Sequence, residues 1–273
     1  MMEQVMLASV LACAFAAAGC RLARPNLPIG PDPLDVVAQP ASRPASKSRI
    51  VATLCEVVVA DGPGATSVKG RPIRSWVYGK GERTVLILGG IHGDEPASPT
   101  LCEALRDHLA EHPDIVDGRR VVVVPSLNPD GLAAGTRVNA RKVDLNRNFD
   151  TANRKARRRY GAKPLSEPES RFIADLIEQY APAAIIAVHQ PLVCVDYDGP
   201  AEELAAAMSR ACGLPVKKLG ASSGSLGSYA GVDLNIPIVT LELPQRVSRW
   251  GKAALWKHYG GAMIEAVRLT GVE

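Results

Sequence analysis

A chain of 273 residues with 47% hydrophobic and 22% charged residues can bury a sizeable core and has the balance of an ordinary soluble globular protein. Its formal charge of +4 is too mild to argue for a nucleic-acid partner, and none is expected. Aromatic residues make up only 4%, so the core must rest on Val, Ile, Leu and Ala.

The first twenty residues read as a targeting segment, since Val5 to Gly19 is continuously apolar or small and ends in Ala17-Ala18-Gly19-Cys20. The run is short for a membrane-spanning helix, which needs about 20 residues. It suits the apolar region of a signal peptide better. Small residues before a cysteine resemble a bacterial lipobox, whose cysteine is acylated and becomes the mature N-terminus. Residues 1–19 are therefore expected to be a lipoprotein-type signal peptide, with a lipid anchor at Cys20 and the chain exported to the periplasm or cell exterior. Glu3 and the lack of Lys or Arg in residues 1–4 depart from the usual pattern and leave simple secretion or a mis-assigned start codon as the alternatives. Residues 20–49 read as a Pro-rich tether, with six prolines between 24 and 49 and no apolar periodicity. One folded domain, 50–273, follows.

From Ile50 onward, β-branched runs alternate with amphipathic segments, which predicts an α/β fold: three layers, α/β/α, around a mixed, mostly buried sheet. Residues 51–59 and 74–78 read as opening strands, 84–88 as a central strand and 99–111 as a helix. The four consecutive valines within 120–125 suit a strand covered on both faces. Glu167-Pro168-Glu169 opens a helix to about residue 179. A strand at 184–188, a helix at 201–212, a strand at 238–243 and a closing helix at 252–269 complete the domain, without an internal repeat. The basic run Arg154-Lys155-Ala156-Arg157-Arg158-Arg159 reads as a solvated loop or helix face, with an anionic polymer as the alternative partner. Cys55, Cys102, Cys194 and Cys212 show no Cys-x-x-Cys spacing and so form neither a zinc ribbon nor a redox pair. Disulfides and buried free thiols both remain open.

His92-Gly93-Asp94-Glu95 follows the apolar run from Thr84 and sets an imidazole and a carboxylate three residues apart at a strand's end. Zinc accepts both donor types, and a catalytic zinc typically has three protein ligands plus a position left to water. The tetrapeptide alone supplies two, and alone it reads equally as a helix N-terminus favoured by Asp94 and Glu95. His189, directly after the strand at 184–188, is the natural third ligand, whereas His108, His112 and His258 lack comparable settings. Asn128-Pro129-Asp130-Gly131 is first of all a turn sequence. The stretch from Gly135 to Phe149 is less generic and concentrates Arg and Asn. Glu242 ends the last strand between apolar neighbours. All these segments fall at or just beyond strand ends, where open α/β sheets bind ligands.

Taken together, His92-Gly93-Asp94-Glu95, Asn128-Pro129-Asp130-Gly131, Asp144-Leu145-Asn146-Arg147-Asn148-Phe149, His189 and Thr240-Leu241-Glu242-Leu243-Pro244 resemble, in order and spacing, the zinc carboxypeptidases of the M14 type. The resemblance covers about residues 80 to 250. It implies one zinc ion on His92, Glu95 and His189, and Glu242 as the group that takes a proton from water and delivers it to the leaving amine. It implies Arg137 as the stabiliser of the oxyanion, and Asn146 and Arg147 as receivers of a terminal carboxylate. Arg141 is conjectured from charge alone to reach a second carboxylate, and Asp144 and Asn148 to fix the loop. Thr136 to Arg141 and Ser225 to Tyr229 look most like the murein peptide amidases, which release meso-diaminopimelate from γ-D-glutamyl-diaminopimelate. Digestive members carry a tyrosine about twenty-two residues before the catalytic glutamate, where this chain reads Leu219-Gly220-Ala221 and Tyr229 stands too close to serve. That departure favours a murein-type substrate over the trimming of proteins. The rival readings are an N-acyl amino acid deacylase of the succinylglutamate desuccinylase and aspartoacylase type, and a non-catalytic lipoprotein that binds cell-wall peptides.

Overall fold

Strands that are apolar at every position have no face to offer water, so they must lie inside a sheet covered on both sides. The computed structural model describes residues 59–269. The expected signal segment, tether, Cys55 and nearly all of the first expected strand lie outside those residues. Within them, a seven-stranded sheet runs in the order β1 (Val59–Asp61), β4 (Trp76–Tyr78), β6 (Arg119–Val124), β5 (Arg83–Leu88), β7 (Ala184–His189), β9 (Ile238–Glu242) and β8 (Cys194–Asp198). Strands β6, β5, β7 and β9 are parallel at the centre, and β1, β4 and β8 add antiparallel edges. A separate ribbon pairs β2 (Ala65–Thr66) with β3 (Pro72–Ile73).

Alternation along each central strand feeds two cores. Val85, Ile87, Val121 and Val123 pack with Leu101 and Leu105 of α1 (Ala97–Glu111), and in the same core lie Met208 of α4 (Glu202–Cys212) and Leu255 and Met263 of α5 (Lys252–Leu269). On the other face, Leu86, Leu88, Val122 and Val124 share a core with Phe172, Ile173 and Leu176 of α3 (Pro168–Tyr180). The three-layer expectation therefore holds. Cys102, Cys194 and Cys212 are buried free thiols.

Register decides where the chemistry falls. Leu88 pairs with Val124 on one side and Ala187 on the other, and His189 pairs with Glu242, so four parallel strands end along one edge. The loops leaving β5 and β6 are tied there: Leu127 N donates to Gly89 O at 3.1 Å, and Asn128 N to Gly90 O at 2.9 Å. Asn128 adds its side chain, donating to Ile91 O at 3.2 Å and accepting from Gly131 N at 2.8 Å.

Two local expectations change. The Asn128-Pro129-Asp130-Gly131 turn is the start of a short helix, α2 (Pro129–Ala134), with Asn128 as its N-cap and Pro129 at its first position. Strand β8 was not foreseen, because Asp196 and Asp198 break the apolar pattern that announces a buried strand.

A side chain at Gly93 would overlap the backbone of Gly131 and Leu132, and backbone cannot swing aside. Gly93→Ala is therefore expected to destabilise the protein by roughly 1–3 kcal/mol, read as a lower urea midpoint. An unchanged midpoint would mean that the His92 loop does not rest on α2.

Candidate metal centre and its cleft

Gly90 takes a φ of +62°, a conformation glycine adopts without steric cost, and turns the chain as it leaves β5 toward His92 and Glu95. His189 is the last residue of β7. These three buried side chains bring their ligand atoms within 4.8 Å of one another. Glu95 lies between the two rings, with Oε1 at 2.8 Å from His92 Nδ1 and Oε2 at 2.9 Å from His189 Nδ1. Two imidazole nitrogens and a carboxylate form a donor set that zinc accepts, and all three residues line one wall of an open cleft of about 260 Å³. The site therefore fits a zinc ion with a face left for water and substrate.

The charges around the ligands are matched. Burial opposes ionisation of Glu95, but the His189 and His92 rings outweigh it and hold this carboxyl well below the usual carboxylate range. His92 presents its other nitrogen, Nε2, to Asp144 Oδ1 at 3.1 Å. A proton held on Nε2 by that carboxylate leaves the Nδ1 lone pair for the metal. Arg137 spans the pair, donating from Nη1 to Glu95 Oε1 at 3.2 Å and from Nε to Asp144 Oδ2 at 3.3 Å. Asp144 also fixes the loop as expected, accepting from Asn146 N at 3.1 Å. Its link to His92 was missed, since 52 residues separate the two in sequence. Asn148 holds the loop from beneath, through Tyr160 O at 2.8 Å and Ser166 Oγ at 3.0 Å.

Glu242, at the end of β9, faces the same cleft and accepts from Leu192 N at 3.2 Å. Burial pushes its carboxyl up; His189 opposes the rise, and the Glu95 charge adds to it. Arg137, Asn146 and Arg147 line the cleft as expected, and Asn146 is oriented by accepting from Leu226 N at 2.9 Å. Arg141 does not join them. Its guanidinium lies 3.6 Å from Glu167 and lines a separate cavity, so the conjectured contact with a second substrate carboxylate is corrected. Tyr229 stacks on Phe149 at 5.5 Å between ring centroids, outside the cleft lining, whereas Leu219 and Gly220 do line it.

Sequence reading also missed two acids of the cleft. Asp196 and Asp198, alternate residues of β8, are both buried and both line the cleft. Asp196 accepts from Leu219 N at 2.8 Å. Burial and the neighbouring Asp196 charge push the Asp198 carboxyl up to about 6, against a smaller opposing effect of Lys218. A side chain at Gly227 would overlap the Asp198 carboxylate, so this glycine makes its room. The only signal in the sequence was a pair of acids two residues apart beside a histidine strand, which reads as surface until β8 is known to be inside.

Comparison with known proteins agrees with this arrangement. The sequence matches the zinc carboxypeptidase family over residues 53–198. Murein peptide amidase A of Escherichia coli strain K12 is 40% identical over 178 residues, covering 58% of this chain and 70% of that protein. Its counterpart in Vibrio campbellii is 35% identical over 178 residues, covering 58% and 68%. The crystal structure of murein-tripeptide amidase from Escherichia coli O157 superposes with a TM-score of 0.56 at 30% identity, covering 72% of this chain and 92% of that one. Thrombin-activatable fibrinolysis inhibitor shares the fold, with a TM-score of 0.66 at 18% identity over 78% of this chain and 68% of that one.

Two outcomes follow from the geometry. Asp144→Asn should weaken zinc binding by about 10- to 100-fold in chelator competition, with the fold kept, because His92 loses its orienting carboxylate. Asp198 titrates above its unfolded value, so its ionisation costs stability as pH rises from the unfolded range, in full once pH passes about 6. Asp198→Asn should accordingly raise the melting temperature at about pH 8 and change it little near pH 4; equal effects at both would refute the raised carboxyl.

Proposed function

The chain belongs to the zinc carboxypeptidase family and is a hydrolytic metalloenzyme, and from that premise we propose that it releases meso-diaminopimelate from γ-D-glutamyl-meso-diaminopimelate cell-wall peptides. One observation carries the choice of leaving residue. A single cleft is lined by Asn146 and Arg147, receivers for a terminal carboxylate, and by the buried acids Asp196 and Asp198, receivers for an ammonium group. Diaminopimelate carries a second amine at the end of its side chain, and ordinary apolar residues carry none. The murein amidase relatives support the same class.

His92, Glu95 and His189 would hold the zinc, which when bound would polarise the scissile carbonyl and acidify a water. Glu242 would take a proton from the attacking water onto its carboxylate and return it to the leaving nitrogen, and the new acid gives its remaining proton to the departing amine, so that the amide and water become a carboxylate and an ammonium group. Arg137 offers its guanidinium to the negative charge that grows on the carbonyl oxygen. Arg147 makes a planar fork for the terminal carboxylate, with Asn146 beside it, and a chain continuing past that point would leave the fork unpaired. This accounts for removal of the last residue only.

The proposal extends to place. Signal segment 1–19 would direct export and be removed, leaving a lipid anchor at Cys20 and the tether 20–49 to hold the catalytic domain, 50–273, at a membrane outside the cytoplasm. The apolar run ending at Ala17-Ala18-Gly19-Cys20 and the six prolines after residue 24 support it.

The zinc-loaded enzyme should release diaminopimelate from L-Ala-γ-D-Glu-meso-diaminopimelate, and Glu242→Gln should lower kcat by about 10²- to 10⁴-fold while zinc and peptide still bind. Turnover of N-acetyl or N-succinyl amino acids alone would assign the chain to deacylation instead.

A further inference from the structure

The basic run that ends at Arg159 has no part in the mechanism above, yet its place is fixed. Asp144 N donates to Arg159 O at 2.8 Å, and Tyr160 O accepts from Asn148 Nδ2 at 2.8 Å and from Arg154 Nη2 at 2.9 Å. The backbone of Arg157, Arg158 and Arg159 is thereby pinned to the loop that carries Asn146 and Arg147. These residues line a cavity of about 410 Å³ whose remaining walls include Arg137 and Arg147. Those two arginines also line the catalytic cleft, so the two cavities meet across them.

The charge in this second cavity is one-sided. Five arginines line it with one carboxylate, Asp144, which is already engaged by His92 and Arg137. Among the described residues, Arg158 and Arg159 pair with no carboxylate, and Arg157 lies over the Tyr160 ring at 5.8 Å. Unbalanced like charge in a concave seat raises the local concentration of anions. A carboxylate suits it, since its two oxygens match the guanidinium fork.

We propose that this pocket receives the free α-carboxylate of the γ-linked glutamyl residue on the acyl side of the scissile bond, and that it lets the enzyme tell a γ-linked amide from an α-linked one. The inference rests on the murein-peptide reading above. In a γ-linked residue the carbonyl under attack belongs to the side chain, so the residue keeps its own ionised α-carboxylate. Four bonds separate that carboxyl carbon from the scissile carbon, a reach of about 5 Å. Arg137 borders both cavities, so a carboxylate held at its far side lies on the path from the reacting carbonyl. An α-linked peptide brings no charge to this position and leaves the guanidiniums unpaired, which selects against it.

The test compares kcat/KM on γ-D-Glu-meso-diaminopimelate peptide and on the same peptide with its glutamyl α-carboxylate converted to carboxamide. The unmutated enzyme should favour the carboxylate by roughly tenfold or more. A triple variant, Arg157→Gln with Arg158→Gln and Arg159→Gln, should lose that preference: slower on the carboxylate, unchanged on the carboxamide, and equal in zinc content. Arg157→Gln alone should shift the preference in the same direction. Equal rates on both peptides for the unmutated enzyme would overturn the assignment, as would a triple variant slowed equally on both. No release of diaminopimelate from either peptide by the unmutated zinc enzyme would instead sink the murein-peptide reading, and this assignment with it.

Discussion

A buried carboxylate is unfavourable unless opposite charges and donors meet it, and Glu95 is such a group. Its two oxygens are met by His92, His189, Arg137 and the backbone N–H of Gln190. Those partners come from the loop after β5, the loop after α2 and the end of β7. Satisfying one anion therefore draws three segments to one point. Asp144 extends the same logic outward, holding His92 and Arg137 in fixed orientation while capping the turn that carries Asn146 and Arg147. The metal group and the substrate-facing arginines are in this way parts of one electrostatic network.

The cleft gathers charges of both signs. Arg137 and Arg147 line it, and so do Asp196 and Asp198. The raised Asp198 carboxyl shows the cost of the acids, because burial disfavours its charge and the neighbouring Asp196 charge adds to that cost. A fold under selection for stability alone would have an amide or an apolar residue there. Strand β8 keeps both acids, and Gly227 keeps the space for one of them. Such stored disadvantage is characteristic of sites that await a ligand.

Legibility in the sequence followed the distance over which each signal acts. The strands at 84–88, 120–125 and 184–188 were readable because uninterrupted apolar runs are a local consequence of being covered on both faces. The metal ligands were readable because His92 and Glu95 are near neighbours and the rest of the motif keeps a characteristic order. Asn128 misled in part: the residues that make a turn also start a helix, and only the bonds to Ile91 and Gly131 show which occurs. Arg141 misled fully, since charge says nothing of direction, and Glu167 holds it beside a different cavity.

By itself the sequence determined the α/β architecture, the three residues whose donor set could hold a metal and the family to which the chain belongs. These depend on residue type and short spacing, which the linear order preserves. Tertiary structure alone decided that Asp144 orients His92, that Asp196 and Asp198 line the cleft, and that Arg157 to Arg159 line a cavity beside Arg137. Each of those relations joins segments tens of residues apart. Their meeting is set by strand order and register, and no local pattern in the chain records either one.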